Sequence, residues 1–184
     1  MTITFNTSKL RLPTTQTLNK AISSALNKTV VTAKKEMSSG VREIYNLKKK
    51  DLDPKIHVKK ASMNNTSSTI TVRSSPIGMI HFNATATKAY LKGRKTYYKT
   101  SAKILKKERK KVYRGVFIGK AKNSNSSQVF RRSTKKRLPL KKMSVITPTS
   151  MVKMEGLDDF IKVIQRDFNK NFNHEFSHFL GKQK

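Results

Sequence analysis

The chain of 184 residues has no cysteine and no tryptophan. Without cysteine, disulfides, thiolate metal sites and thiol nucleophiles are excluded. Long apolar runs are missing too. No stretch approaches the roughly 20 apolar residues that a membrane-spanning helix needs, so no membrane partner is expected. The first thirteen residues, MTITFNTSKLRLP, lack the apolar centre of a secretory signal. The seven glycines are scattered, and no Gly-rich loop is available to cradle a phosphate. Acidic residues are scarce: ten Asp and Glu stand against 41 Lys and Arg, for a formal net charge of +31.

The distribution of the acids says more than their number. Between residues 54 and 154, Glu108 is the only acid among 26 Lys and Arg. A surface so charged repels itself unless a polyanion lies near it. Nucleic acid is the obvious polyanion, held through its phosphates and released by salt. A merely solubilising surface is the plainer reading, but self-repulsion of this size argues against it.

Length and patterning point to a single α+β domain over residues 14–184, preceded by an arm of residues 1–13. Leu18, Ile22, Ala25, Leu26, Thr29, Ala33 and Met37 recur at helical spacing and predict a helix over 14–45. Thr14, Thr15 or Thr17 is its candidate N-cap, and Gly40 a point where it ends or bends. Residues 56–147 read as an antiparallel β region of about four to six strands. They include TITVRS (69–74), IGMIHF (77–82) and a hairpin of KTYYKTSAKIL (95–105) with KVYRGVFIGK (111–120). Short strands at VFRR and KKMSVIT flank the loop STKKRLPL. An amphipathic C-terminal helix over 155–181 carries an apolar stripe of Leu157, Phe160, Ile161, Ile164, Phe168, Phe172 and Phe176. Asp158 and Asp159 fall in its first turn, where the helix dipole favours acids.

That last helix also contains His174-Glu175-Phe176-Ser177-His178, the H-E-x-x-H pattern of zinc metalloproteases. Such a site needs both histidines on one cleft-facing side, a third ligand, and a glutamate free to act on a metal-bound water. Here His174 and His178 fall on roughly the opposite side from Phe172, Phe176 and Phe179. The six residues after His178, FLGKQK, supply no ligand. The pattern is therefore read as a chance match on a polar helix face. His57 and His81 have no acid nearby in sequence and read as structural. No catalytic residue, metal site or cofactor is expected, and the chain is read as a non-enzyme.

The strongest constellation is the basic run QVFRRSTKKRLPLKKM, 128–143. Apolar anchors Val129, Phe130, Leu138, Leu140 and Met143 alternate with Arg131, Arg132, Lys135, Lys136, Arg137, Lys141 and Lys142, and Pro139 stiffens the loop exit. Cations presented from such a base suit phosphate contacts, which position without reading sequence; a solvated loop is the plainer alternative.

YRGVFIGK (113–120), a polar loop and then this run resemble the minor tail protein Z family of tailed bacteriophages. Gly115, Phe117 and Ile118 match the family's first strand. Val129, Phe130 and Arg132 match its second, and Lys135, Arg137, Leu138 and Pro139 its Arg-Leu-Pro segment. The order of elements matches from about residue 18 to 180. Val116 departs from the usual alanine, Ser133-Thr134 stands where glycine is common, and the Gly-Pro turn after Met143 is missing.

The resemblance implies a virion structural protein that completes or terminates the tail at its head-proximal, neck end, and resides in the host cytoplasm during assembly. By analogy with tail symmetry it implies a ring, six-fold, around the DNA channel. The implied partners are further copies of the chain, the tail-tube and neck or connector proteins, and packaged double-stranded DNA. The competing reading is a free nucleic-acid-binding protein that uses its basic centre on phosphates.

Overall fold

A computed structural model describes residues 14–92, 95–120, 126–136 and 138–181; the side chains of 87–98, 155 and 157–159 fall outside what is described. The expected arm, residues 1–13, and Arg137 lie outside the described residues.

Helix α1 (Thr15–Ile44) starts where Thr14 caps it. The Thr17 N–H donates to Thr14 Oγ1 at 3.3 Å, and the Leu18 N–H to the Thr14 carbonyl at 3.0 Å, satisfying amides that a helix start leaves unpaired. Thr17, Ala21, Ala25, Thr29, Ala33, Met37 and Val41 are buried at a constant spacing of four, and Tyr45 continues the row. A step of four overshoots a 3.6-residue turn by about 40°, so the buried row winds around the helix. Gly40 does not end α1, which continues to Ile44 with Val41 and the following Tyr45 anchored by burial.

A short helix, α2 (Lys49–Leu52), and a 3-10 turn at Asp53–Lys55 lead into β1 (Ile56–Lys59). Next come β2 (Thr69–Val72), β3 (Thr85–Lys92), β4 (Lys95–Ala102), β5 (Lys111–Arg114), β6 (Val116–Lys120), β7 (Ser127–Arg132) and β8 (Leu140–Lys142). The α+β class expected from the sequence is what the chain adopts. Among the described residues its strands divide among three small sheets, ordered β1-β2, β3-β4-β5 and β6-β7-β8.

The chain forms two compact units. The first gathers α1 up to Lys34, the segment Val58–Ile70 and the last helix from Asp159. Asn27 pins that segment to α1: its amide donates to the Ala61 carbonyl at 3.0 Å and accepts from the Ala61 N–H at 2.8 Å. Ser23 adds a hydroxyl bond to the Ser62 carbonyl at 2.8 Å. On the last helix, Asn171 donates to Thr29 Oγ1 at 3.0 Å.

The second unit holds Lys35–His57 and Thr71–Asp158. Met79, Ala102, Val116 and Val129 form a buried cluster there, with Ile80, Tyr113, Ile118, Met143 and Val145 packed against it. The segment 77–82, expected as a strand, pairs only at its start. Backbone bonds join Ile77 to Val145 and Ile146, and Met79 to Met143. The chain then turns through a 3-10 helix, Met79–His81, which buries Met79 and Phe82. The expected strand over KKMSVIT contracts to β8, and residues 143–146 instead hand their bonds to Val129 and Ile77.

The final helix, α3 (Pro148–Gly181), begins seven residues before the expected 155. Thr147 caps it, accepting from the Ser150 N–H at 3.1 Å, and Pro148 occupies the first helical position, where no N–H is needed. Gly156 sits inside it at φ 108°, ψ 81°, a break that a side chain would resist. The Asp158–Asp159 pair read as a helix start therefore follows this internal break.

Candidate basic interface

Gly115 sets the interface up. Its φ is +70°, and no atom lies within 4 Å of where a Cβ would sit, so the backbone and not crowding demands glycine. The turn divides KVYRGVFIGK, expected as one strand, into β5 and β6. Strand β5 pairs with β4, placing Thr100 opposite Tyr113, which realises part of the expected hairpin. Strand β6 leaves for another sheet, although Thr100 Oγ1 still bonds the Val116 carbonyl at 2.9 Å.

Strand β7 lies between β6 and β8, antiparallel to both. The register places Phe117 opposite Phe130 and Ile118 opposite Val129. On the other side it places Phe130 opposite Lys142, Arg131 opposite Lys141 and Arg132 opposite Leu140. Strand alternation then sorts the side chains. Val116, Ile118 and Val129 share the face turned to the buried cluster, and Arg131 and Lys141 continue that face at the sheet's end. Phe117, Phe130, Arg132 and Lys142 share the other face. There the two rings lie 6.2 Å apart, and the Arg132 guanidinium sits 6.0 Å from the Phe117 centroid, within cation–π range.

Arg131, Arg132, Lys135, Lys136, Lys141 and Lys142 are all exposed. None has an ion-pair partner among the described residues. The β7–β8 connection also exposes two leucines: Leu138 is 65% and Leu140 37% solvent-accessible. Pro139 follows Leu138 through a cis peptide bond.

The H-E-x-x-H residues differ in exposure, although His174 Nδ1 stays 3.3 Å from Glu175 Oε1. His174 and His178 are exposed on α3, while the Glu175 side chain is only 7% exposed. Glu175 accepts a hydrogen bond from the Lys28 ammonium on α1, in the same unit. That bond, seconded by Ser24 and His174 against the opposing effect of burial, holds its carboxyl down to about 2. Such a carboxylate is committed to an ion pair and poorly suited to act as a general base. Among the described residues, no three His, Asp or Glu come together as a metal cluster would. No local pattern signals the Lys28 partnership, which spans 147 positions. His81, read as structural with no acid nearby, receives one through the fold: Asp51 stands 2.9 Å from its Nδ1.

The apolar stripe of α3 is only partly covered. Phe168, Phe172 and Phe176 form a stacked ladder with centroid spacings of 5.9 and 5.5 Å. These rings, Phe160 and Ile164 are half-buried, and Ile161 is exposed; the Leu157 side chain is outside the description. In the first unit, Leu26, Val30, Ile70, Ile164 and Phe168 line an apolar groove of about 360 Å³.

An α+β scaffold that displays unpaired cations on a small sheet suits a protein that binds surfaces. The chain belongs to the prophage minor tail protein Z family, whose model matches residues 7–183. It is a structural protein of the phage tail, and its place is in the virion with other tail components. No curated protein and no solved structure gives a match. No described helix is long and apolar enough to cross a membrane.

Proposed function

We propose that this tail protein completes the tail at its head-proximal end, as a ring of identical copies around the DNA channel. Six-fold order follows the symmetry of the tail it would close. The observation that carries the reading is the facing pair Arg131 and Lys141, two exposed like charges set opposite each other in a region almost free of acid. Like charges in that position oppose folding, and an anionic neighbour or packaged DNA relieves them. The half-covered Phe ladder of α3 supports the ring, because a neighbouring copy removes that apolar surface from water.

In this reading residues 14–184 act as one tail-completion domain and residues 1–13 as a docking arm. The role is structural and not catalytic, and the chain passes through the host cytoplasm only during assembly. Electron microscopy of particles carrying a labelled chain tests it. Density at the head–tail joint is the expected result; label along the tail body or at the distal tip overturns it. The competing reading, a free nucleic-acid-binding protein, rests on the same cations. Sub-micromolar binding of DNA or RNA by the monomer at about 0.15 M salt, tighter than ordinary non-specific binding, favours it.

A further inference from the structure

The cations of the β7–β8 hairpin do not stand alone, and their neighbours favour one class of partner. Leu138 is among the most exposed large apolar side chains described, Leu140 is exposed to a lesser degree, and both lie between Lys135–Lys136 and Lys141–Lys142. A phosphate backbone offers nothing to cover aliphatic groups. Bases that stack on a protein need open aromatic faces, whereas Phe117 and Phe130 are half-buried and Arg132 lies over Phe117. Aliphatic centres ringed by arginine and lysine instead match a protein surface with an apolar centre and a rim of carboxylates. Arginine recognises carboxylates through paired hydrogen bonds, which adds direction to the charge match.

The chain itself is a poor source of carboxylates. The chain has only ten, and Asp51, Asp53, Glu108, Asp167 and Glu175 are already held by cations or a histidine of the same chain.

We propose that the β7–β8 hairpin, with Leu138 and Leu140 at its centre, docks onto an acidic, partly apolar surface of a different tail protein, leaving contact with DNA to other cations of the chain. This deepens the reading of the same basic face and rests on the chain being a tail component, but not on its lying at the head-proximal end.

The test uses assembled tail particles containing the full chain with a photoreactive benzophenone side chain at position 138. The expected adduct is to a carboxylate-rich segment of another tail protein. An adduct to DNA, an adduct to a second copy of the chain, or no protein adduct overturns the proposal. A paired variant supplies the second measurement. Leu138→Ser with Leu140→Ser keeps every charge and alters only exposed residues. It is expected to lower incorporation into tails by about tenfold or more, as loss of an interface centre does, while leaving binding to a short DNA duplex unchanged. Wild-type incorporation of that variant sinks the idea. An acidic partner found in the tail body would preserve this inference and overturn the head-proximal location, so the two failures are separable.

Discussion

Arg131 and Lys141 stand directly opposite each other across the antiparallel pair β7–β8. Both are exposed, and neither has a carboxylate partner among the described residues. Cross-strand neighbours of like charge destabilise a sheet, and opposite charges in the same place stabilise it. The isolated protein therefore carries a local cost that an anionic partner removes.

Replacing one member of the pair should reverse that cost. Lys141→Glu is expected to stabilise the free protein by about 0.5 kcal/mol, the size of a cross-strand charge effect. Thermal unfolding at low salt reads the gain. The gap should narrow at about 1 M salt, where exposed charges are screened within about 3 Å. A variant less stable than wild type at low salt would show that Lys141 is already compensated.

Glu175 makes stability depend on pH in a stated direction. Its folded carboxyl is lowered from the ordinary 4.5 to about 2, first by the Lys28 hydrogen bond and then by Ser24. A depressed carboxylate contributes stability that is fully present above its unfolded value and disappears as the pH falls through the folded one. The contribution should thus fade between about pH 5 and pH 2. Lys28 is 54% exposed, so screening limits the effect to about 1 kcal/mol. Glu175→Gln is expected to flatten that stretch of the stability curve while leaving the rest unchanged. An identical slope in wild type and variant would remove the ion pair from the account.

Gly115 is a test of backbone alone. With φ at +70° and open space around the missing Cβ, Gly115→Ala meets no clash and costs only the left-handed conformation, about 1 kcal/mol. Chemical denaturation should show a lower midpoint with an unchanged slope. An unaffected midpoint would mean that the β5–β6 turn relaxes freely.

Asn27 closes two hydrogen bonds on one residue, Ala61. Asn27→Ala leaves the half-buried carbonyl without that donor, although Ser68 Oγ still lies 3.1 Å from the Ala61 N–H. A loss of about 1–2 kcal/mol is expected. Hydrogen exchange should quicken at Ala61 and its neighbours before it does in the second unit. Uniform quickening across both units would contradict a local role.

Much of the helical structure was legible, because a helix is encoded by neighbours three and four residues apart. The apolar spacing from Leu18 to Met37 marks α1, and Thr14, one of the three threonines at its start, caps it. The β region was legible in kind but less so in its divisions. Strand β3, TATKAYLK, carries few β-favouring residues and does not stand out in the sequence; it forms by pairing with β4. IGMIHF looked like a strand because its composition is β-rich, yet burial of Met79 and Phe82 turns it after two pairings. The family motif held the basic face in view, but the register that sets Arg131 against Lys141 was not readable.

Charge, helical faces and the α+β class were readable from composition and local spacing, and the motifs of residues 113–143 carried the resemblance to the family. That Glu175 turns inward to Lys28 while His174 and His178 face solvent came from the packing of distant segments. So did the division at Gly115 of one apparent strand between two sheets. Those outcomes depend on partners brought together from distant parts of the chain, where packing and electrostatics override local preference.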